Sequence, residues 1–366
     1  MTRTGFVWDE RFMWHDSRTY ADWLPTEALF EPEPALESVA TKRRFKNLLD
    51  VTGIADQLVR IPTREADVDE IAMLHSKEYI ERIQRESAYV GGDAGDGTPF
   101  GRGSYEIALR ATGGCMNAVD MLLDGEIDNG YALVRPPGHH AERDTGRGYC
   151  IFGNTALSAM HARKRGLARV AIVDFDVHHG NGTEHAFYDD PSVLTISLHQ
   201  DRLYPPESGS VDDIGEGAGV GANLNIPLPP GGGRAAYEHA FNEVVIPALD
   251  RFQPELLLVA SGLDASMYDP NARMNLSAAC FGRLSRMLID AAGRHAQGRV
   301  LFIHEGGYSS MYVPYCGLRI VEELSGIQSG VPDALNDGDP SIHPLHDHER
   351  AAVTAAAANV GKVPTP

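Results

Sequence analysis

The sequence predicts an α/β fold in which a central, mostly parallel sheet lies between layers of helices. Three observations predict it. Apolar runs of strand length occur at residues 131–134, 170–173, 256–260 and 300–303, and their continuity suits strands buried on both faces. Segments with helical apolar spacing alternate with these runs, as parallel crossover connections require. Each run also stops at glycine and a polar group capable of chemistry, and in open α/β sheets ligands bind outside the carboxyl ends of the strands.

Taken in order, residues 35–50 read as an amphipathic helix and 67–84 as one or two short helices. Residues 91–103, rich in Gly and Asp, read as an exposed loop. Ser104 is placed to cap a long helix to Leu123, with Gly125 just past its end. A helix is expected at 155–164 and a β-branched strand at 193–198. Residues 199–233 are dense in Gly, Pro and Asp apart from a short strand at 224–226, and so long an irregular segment is usually functional or mobile. Helical spacing returns at 234–251 and 277–294. No linker-like break interrupts residues 131–308, so one domain is expected over 1–330. A polar C-terminal extension, 331–366, follows, with a last helix at 347–359 docked on the body or on a neighbouring subunit.

Composition narrows the function. A formal net charge of −19 argues against a nucleic-acid partner and is compatible with a cationic one, although solubility alone accounts for an acidic chain. No run approaches the roughly 20 apolar residues of a membrane span. Residues 1–12 carry four charges and no apolar core, unlike a secretory signal. The four cysteines lack metal-ligand spacing, and reduced, mostly buried thiols in a cytoplasm are expected.

The run at 170–173 leads into Asp174-Phe175-Asp176-Val177-His178-His179-Gly180-Asn181-Gly182. Alternation along a strand puts Asp174, Asp176 and His178 on one face. Two carboxylates and an imidazole at the end of a buried strand need compensation, and a metal ion is the simplest. Asp176, His178 and Asp264, the last at the end of another run, match the three nitrogen and oxygen ligands of a catalytic zinc; iron, cobalt or manganese also suit such a set. A buried salt-bridge cluster would need lysines or arginines that are scarce nearby. His139 and His140 follow Arg135-Pro136-Pro137-Gly138, a rigid turn that could curl both rings around one site. Histidine is the natural general base near neutral pH, and Asp174 and Asn181 are candidate orienting partners. Tyr308, after Gly306-Gly307, could aim a phenol at a developing oxyanion. Gly215–Gly221 lacks nucleotide-loop spacing and reads as a flexible loop, and His343, His346 and His348 read as a solvated tail.

Together, Arg135-Pro-Pro-Gly-His-His140, Asp174 to Gly182, Ser197-Leu-His199, Ser261-Gly-Leu-Asp264 and Glu305-Gly-Gly-Tyr308 resemble, in order, the signatures of the histone deacetylase family. That family comprises zinc-dependent deacylases that include acetylpolyamine amidohydrolases. The resemblance covers roughly residues 5–330 and is nearest to bacterial class II-like amidohydrolases. It implies an arginase-like three-layer fold with about eight strands, and one catalytic Zn2+ on Asp176, His178 and Asp264. It implies His140 as general base and then acid, His139 paired with Asp174 as electrostatic partner, and Tyr308 as oxyanion donor. It implies a structural K+ beside the zinc, on oxygens of Asp174, Asp176, His178, Ser197 and Leu198, and a second monovalent site near Phe187, Asp190 and Val193. Gly148, Tyr149 and Tyr204 would wall the substrate tunnel, with Asp96 at its rim. The substrate implied is acetyl-lysine or a small acetylated amine, with a cationic amine product; a dimer or tetramer would fit.

Some residues depart from the family pattern. Asn181 stands where class I members carry Asp. Asn271 replaces a common apolar rim residue and makes the mouth more polar, and His304 and Ser309 flank the Glu-Gly-Gly-Tyr motif. A binuclear manganese ureohydrolase on the same fold is disfavoured: it needs Asp-x-His-x-Asp and Asp-x-Asp, where this chain has Gly180 and Ser266. An idle acyl-lysine binder would be expected to lose Tyr308 or a histidine of the pair, and all are present. An acetoin-utilisation type of regulatory role and hydrolysis of another small linear amide stay open.

Overall fold

A computed structural model describes residues 2–19, 29, 31–333 and 344–366. Its strands are β1 (Thr4–Val7), β2 (Val59–Ile61), β3 (Gly92–Asp93), β4 (Pro99–Phe100), β5 (Asn129–Ala132), β6 (Val170–Asp174), β7 (Val193–Gln200), β8 (Asn223–Leu228), β9 (Leu256–Ser261) and β10 (Val300–His304). Eight of them form one sheet in the order β2-β1-β5-β10-β9-β6-β7-β8, with every neighbouring pair parallel. β3 and β4 make a small antiparallel pair inside the loop expected at 91–103.

The helices are α1 (Val39–Val51), α2 (Val68–Ile71), α3 (Lys77–Ser87), α4 (Ser104–Leu123), α5 (Asn154–Lys164), α6 (Asn181–Ala186), α7 (Arg234–Ala240), α8 (Ile246–Phe252), α9 (Ala278–His295), α10 (Val313–Ser325) and α11 (Asp347–Val360). A π-helical segment, Phe241–Val245, joins α7 to α8, so the single helix expected at 234–251 is continuous but locally underwound. Two apolar cores lie on opposite faces of the sheet. Alternation along β6 divides its residues between them: Ala171 and Val173 face α1 and α7–α11, whereas Val170 and Ile172 face α2–α5.

Several expectations change. Residues 1–12 contain a buried strand, β1, whose four residues are too few to register as an apolar run. The first helix begins at Val39 rather than 35, because Ser38 is extended at its N-cap and Glu37 is drawn into a buried ion pair. Ser104 does not cap α4. Gly103, at φ +81°, holds the N-cap, and the Ser104 hydroxyl is instead buried 2.9 Å from His15 Nδ1. The segment after Gly330 carries α11, whose Val353 and Ala356 are buried in the main core, and Asn359 Nδ2 donates to the Val211 carbonyl at 2.8 Å. His343 lies outside the described residues. No helix among the described residues is long and apolar enough to cross a membrane, and all four cysteines are buried.

Candidate active site

The four chemistry-bearing runs become β5, β10, β9 and β6, the contiguous centre of the sheet. Their carboxyl ends open on one cavity of about 290 Å³, lined by Leu36, Asp96, Gly97, His140, Gly148, Tyr149, His178, Leu203, Tyr204, Asn271 and Tyr308.

Asp176, His178 and Asp264 meet near the cavity base with their ligand atoms all within 4.8 Å of one another. His178 Nδ1 faces Asp176 Oδ1 at 2.9 Å and Asp264 Oδ2 at 3.2 Å. Backbone amides hold the carboxylates: Gly306 N–H donates to Asp176 Oδ2 at 2.8 Å, and Val177 N–H donates to Asp264 Oδ1 at 2.8 Å. Asp264 Oδ2 is buried without a hydrogen bond of good geometry. Burial works against charge on His178, yet its bonds to Asp176 and Asp264 push its pKa up to about 10. An imidazolium thus fills the place where the carboxylates demand a cation. The donor set and the orphaned oxygen fit a metal ion, bound through Nδ1 in place of that proton. Space is reserved for this arrangement: a Cβ at Gly306 would lie 2.1 Å from Asp264 Oδ2, and one at Gly262 would lie 2.1 Å from Asp176 Oδ2.

The turn after β5 does bring both histidines to the site, with ring centroids 3.9 Å apart. Their environments push their pKa values in opposite directions. His139 Nδ1 lies 2.9 Å from Asp174 Oδ2. Burial disfavours its charge, but Asp176 and Asp174 outweigh burial and hold it well above the ordinary imidazole range. Burial and then the charges of His139 and His178 hold His140 well below that range. His140 Nδ1 is 2.7 Å from Asn181 Oδ1, while Asn181 Nδ2 donates to Glu142 Oε1 at 2.5 Å. With the amide nitrogen committed to Glu142, Oδ1 must accept, so the His140 proton sits on Nδ1 and Nε2 keeps its lone pair.

Tyr308 stands across the site, its ring 6.3 Å from those of His178 and Tyr149. Burial and the charges of Asp264 and Asp176 raise its pKa well above 10, so it remains a donor. Gly148 packs against His140 and Tyr204, where a Cβ would fall 2.5 Å from His140 Cδ2 and 2.9 Å from Tyr204 Cε1. The Tyr204 hydroxyl donates to Asp96 Oδ2 at 3.2 Å, and Arg147 Nε lies 3.1 Å from the same oxygen, so the rim carboxylate is already partnered. Asn271 lines the cavity with Nδ2 3.3 Å from His178 Nε2. Strand register sets Ser197 beside Asp174, with Leu198 next along β7. Phe187, Asp190 and Val193 share one turn, in which Asp190 N–H donates to the Phe187 carbonyl at 3.0 Å.

Some participants escaped the sequence reading. Glu305 Oε2 accepts from Gly138 N–H at 2.6 Å and His139 N–H at 3.1 Å, clamping the histidine turn, and burial pushes its pKa up to about 7. Asp269 accepts from Tyr308 N–H at 2.7 Å and from Asn271 N–H at 2.9 Å. Glu142 fixes Asn181, and Leu36 reaches the rim from ahead of α1. Only Glu305 carried a local signal, as part of a motif.

A family model described as the histone deacetylase domain matches residues 36–324. The chain is 45% identical to a histone deacetylase-like amidohydrolase of Pseudomonas aeruginosa over 369 aligned positions, covering 99% of this chain and 97% of that protein. It is 37% identical to a polyamine deacetylase of Homo sapiens, over 79% of this chain and 44% of that one. Among solved structures, the HDA15 HD domain superposes with a TM-score of 0.86 at 29% identity, covering 98% of this chain and 94% of that one. With an eight-stranded parallel sheet, the cavity at its carboxyl edge and these likenesses in agreement, the chain belongs to the histone deacetylase family.

Proposed function

We propose that this protein is a zinc-dependent deacetylase, hydrolysing the linear amide of an acetylated amine such as acetyl-lysine or a small acetylated polyamine. The observation that carries the reading is the buried Asp176, His178 and Asp264 set beside a neutral His140 and a donor Tyr308. The relatives' names, an amidohydrolase and a polyamine deacetylase, agree with it.

Asp176, His178 and Asp264 would hold the zinc. When bound, it supplies a Lewis acid that polarises the amide carbonyl and acidifies a water. His140 Nε2 takes the proton of the attacking water, because its lone pair faces the cavity and its Nδ1–H is held by Asn181. The same nitrogen then returns a proton to the departing amine. His139, kept cationic by Asp174 and Asp176, opposes the negative charge that develops without giving up its proton. The Tyr308 hydroxyl donates to the oxygen of the tetrahedral centre. Gly148, Tyr149 and Tyr204 enclose the acyl-bearing chain, and Asp96 and Asn271 meet the rest of the substrate at the mouth. A structural K+ would use oxygens of Asp174, Ser197 and Leu198, which strand pairing brings side by side.

Zinc-loaded protein should hydrolyse a fluorogenic acetyl-lysine peptide, with N-acetylputrescine as competitor to weigh the two substrate classes. An Asp264→Asn variant should lose both zinc and turnover. Stoichiometric zinc without turnover of either substrate would remove the deacetylase reading.

A further inference from the structure

His178 presents two nitrogens to two different environments. Nδ1 faces Asp176 and Asp264, while Nε2 faces Asn271 Nδ2 at 3.3 Å. An imidazole that coordinates through one nitrogen carries its proton on the other, and that N–H needs an acceptor when the ring is buried. His178 is only 4% exposed, and of the cavity-lining side chains it is Asn271 that stands at hydrogen-bond distance from Nε2. The amide of Asn271 has oxygen and nitrogen in nearly the same outline, and a half-turn of it puts Oδ1 where Nδ2 stands. The backbone of Asn271 is pinned for this, since its N–H donates to Asp269 Oδ1 at 2.9 Å. Asp269 Oδ2 also holds the Tyr308 N–H at 2.7 Å, so one carboxylate ties Asn271 to the loop that carries the oxyanion donor.

We propose that Asn271 is a positioning residue for the metal ligand His178: its amide oxygen accepts the Nε2–H when Nδ1 coordinates, fixing the tautomer and plane of the ring. The inference rests on the reading of Asp176, His178 and Asp264 as the metal set. It gives Asn271 a task beyond lining the mouth. An apolar residue there would take away the side-chain acceptor of the Nε2–H, whereas an Asp, which only accepts when ionised, would keep the bond.

The test uses the full chain with Co2+ in place of zinc, since the same nitrogen and oxygen donors suit both and cobalt reports its ligands in the visible spectrum. Affinity is read by titration against a competing chelator for the wild type, Asn271→Leu, Asn271→Asp and Asp264→Ala. Asn271→Leu should bind about 10- to 100-fold more weakly with an altered visible spectrum, the usual effect of losing a ligand's hydrogen-bond partner. Asn271→Asp should stay near wild type or bind more tightly. Wild-type affinity and spectrum in Asn271→Leu would overturn the assignment while leaving the metal set standing. Wild-type binding in Asp264→Ala would bring down the metal set, and the role of Asn271 with it.

Discussion

Asn181 Oδ1 lies 2.7 Å from His140 Nδ1, and the same amide gives its nitrogen to Glu142 at 2.5 Å. This relay explains why an amide stands at 181. A carboxylate there would face Glu142 at hydrogen-bond distance, and two such groups cannot both stay ionised. The amide satisfies both neighbours and selects the His140 tautomer without adding charge. Asn181→Ala should therefore lower kcat about 10- to 100-fold, the scale of one lost hydrogen bond to a group that becomes charged, with zinc content unchanged. Activity and metal analysis on the same preparation check this.

The pH profile follows from the environment of His140. A general base is competent only when neutral, and burial with the charges of His139 and His178 holds this imidazole well below its ordinary value of 6.5; a zinc ion replacing the His178 proton would keep a positive charge beside it. The acid limb of kcat/KM should accordingly lie below pH 6.5. An acid limb at or above that value would assign the base elsewhere.

Tyr308→Phe removes the phenol hydroxyl and keeps the ring that packs near Tyr149 and His178. Loss of one oxyanion donor typically costs about 10² to 10³ in kcat. KM should move little, because the hydroxyl acts chiefly on the tetrahedral state. Steady-state kinetics would separate this from a binding role, in which KM carries the loss.

Gly306→Ala would introduce a Cβ 2.1 Å from Asp264 Oδ2 and 2.7 Å from Asp176 Oδ2. Displaced carboxylates should bind zinc poorly, and a shift near 1 Å can cost about 100-fold in rate. The expected outcome is a folded protein with reduced zinc content and turnover. Metal analysis alongside circular dichroism distinguishes it from simple misfolding.

A buried charge cluster anchors the segment ahead of α1. Glu37 pairs with Arg135 Nε at 2.8 Å and Lys42 Nζ at 2.8 Å, all three being fully buried. Burial alone would raise the Glu37 pKa, but Arg135 and Lys42 outweigh it and hold the carboxyl far below its ordinary 4.5. A depressed carboxyl stabilises the fold above its unfolded pKa and loses that contribution as pH falls through the folded value. Glu37→Gln should thus cost about 3–5 kcal/mol at neutral pH, the range for breaking a buried pair. Denaturant melts at pH 7 and pH 3.5 should show the gap narrowing at the lower pH.

Much of this was legible along the chain. β6, β9 and β10 announce themselves as unbroken apolar runs, because strands buried on both faces have no polar side to show. Strand alternation placed Asp176 with His178, and the end of a second apolar run offered Asp264 as the third ligand. β1 and β2, with four and three residues, were too short to be seen and gain their stability from neighbours already in the sheet.

The sequence by itself determined which chemical groups stand at strand ends, since periodicity and motif order are local properties of the chain. Tertiary structure alone decided which atom of each group is used. The His140 proton is placed by residues 181 and 142, the histidine turn by residue 305, and Tyr308 by residue 269. Those partners come from separate loops that only the closed sheet brings together. The hydrogen bonds that set each tautomer act over about 3 Å in space, and the charges beside them over somewhat more, whatever the distance along the chain.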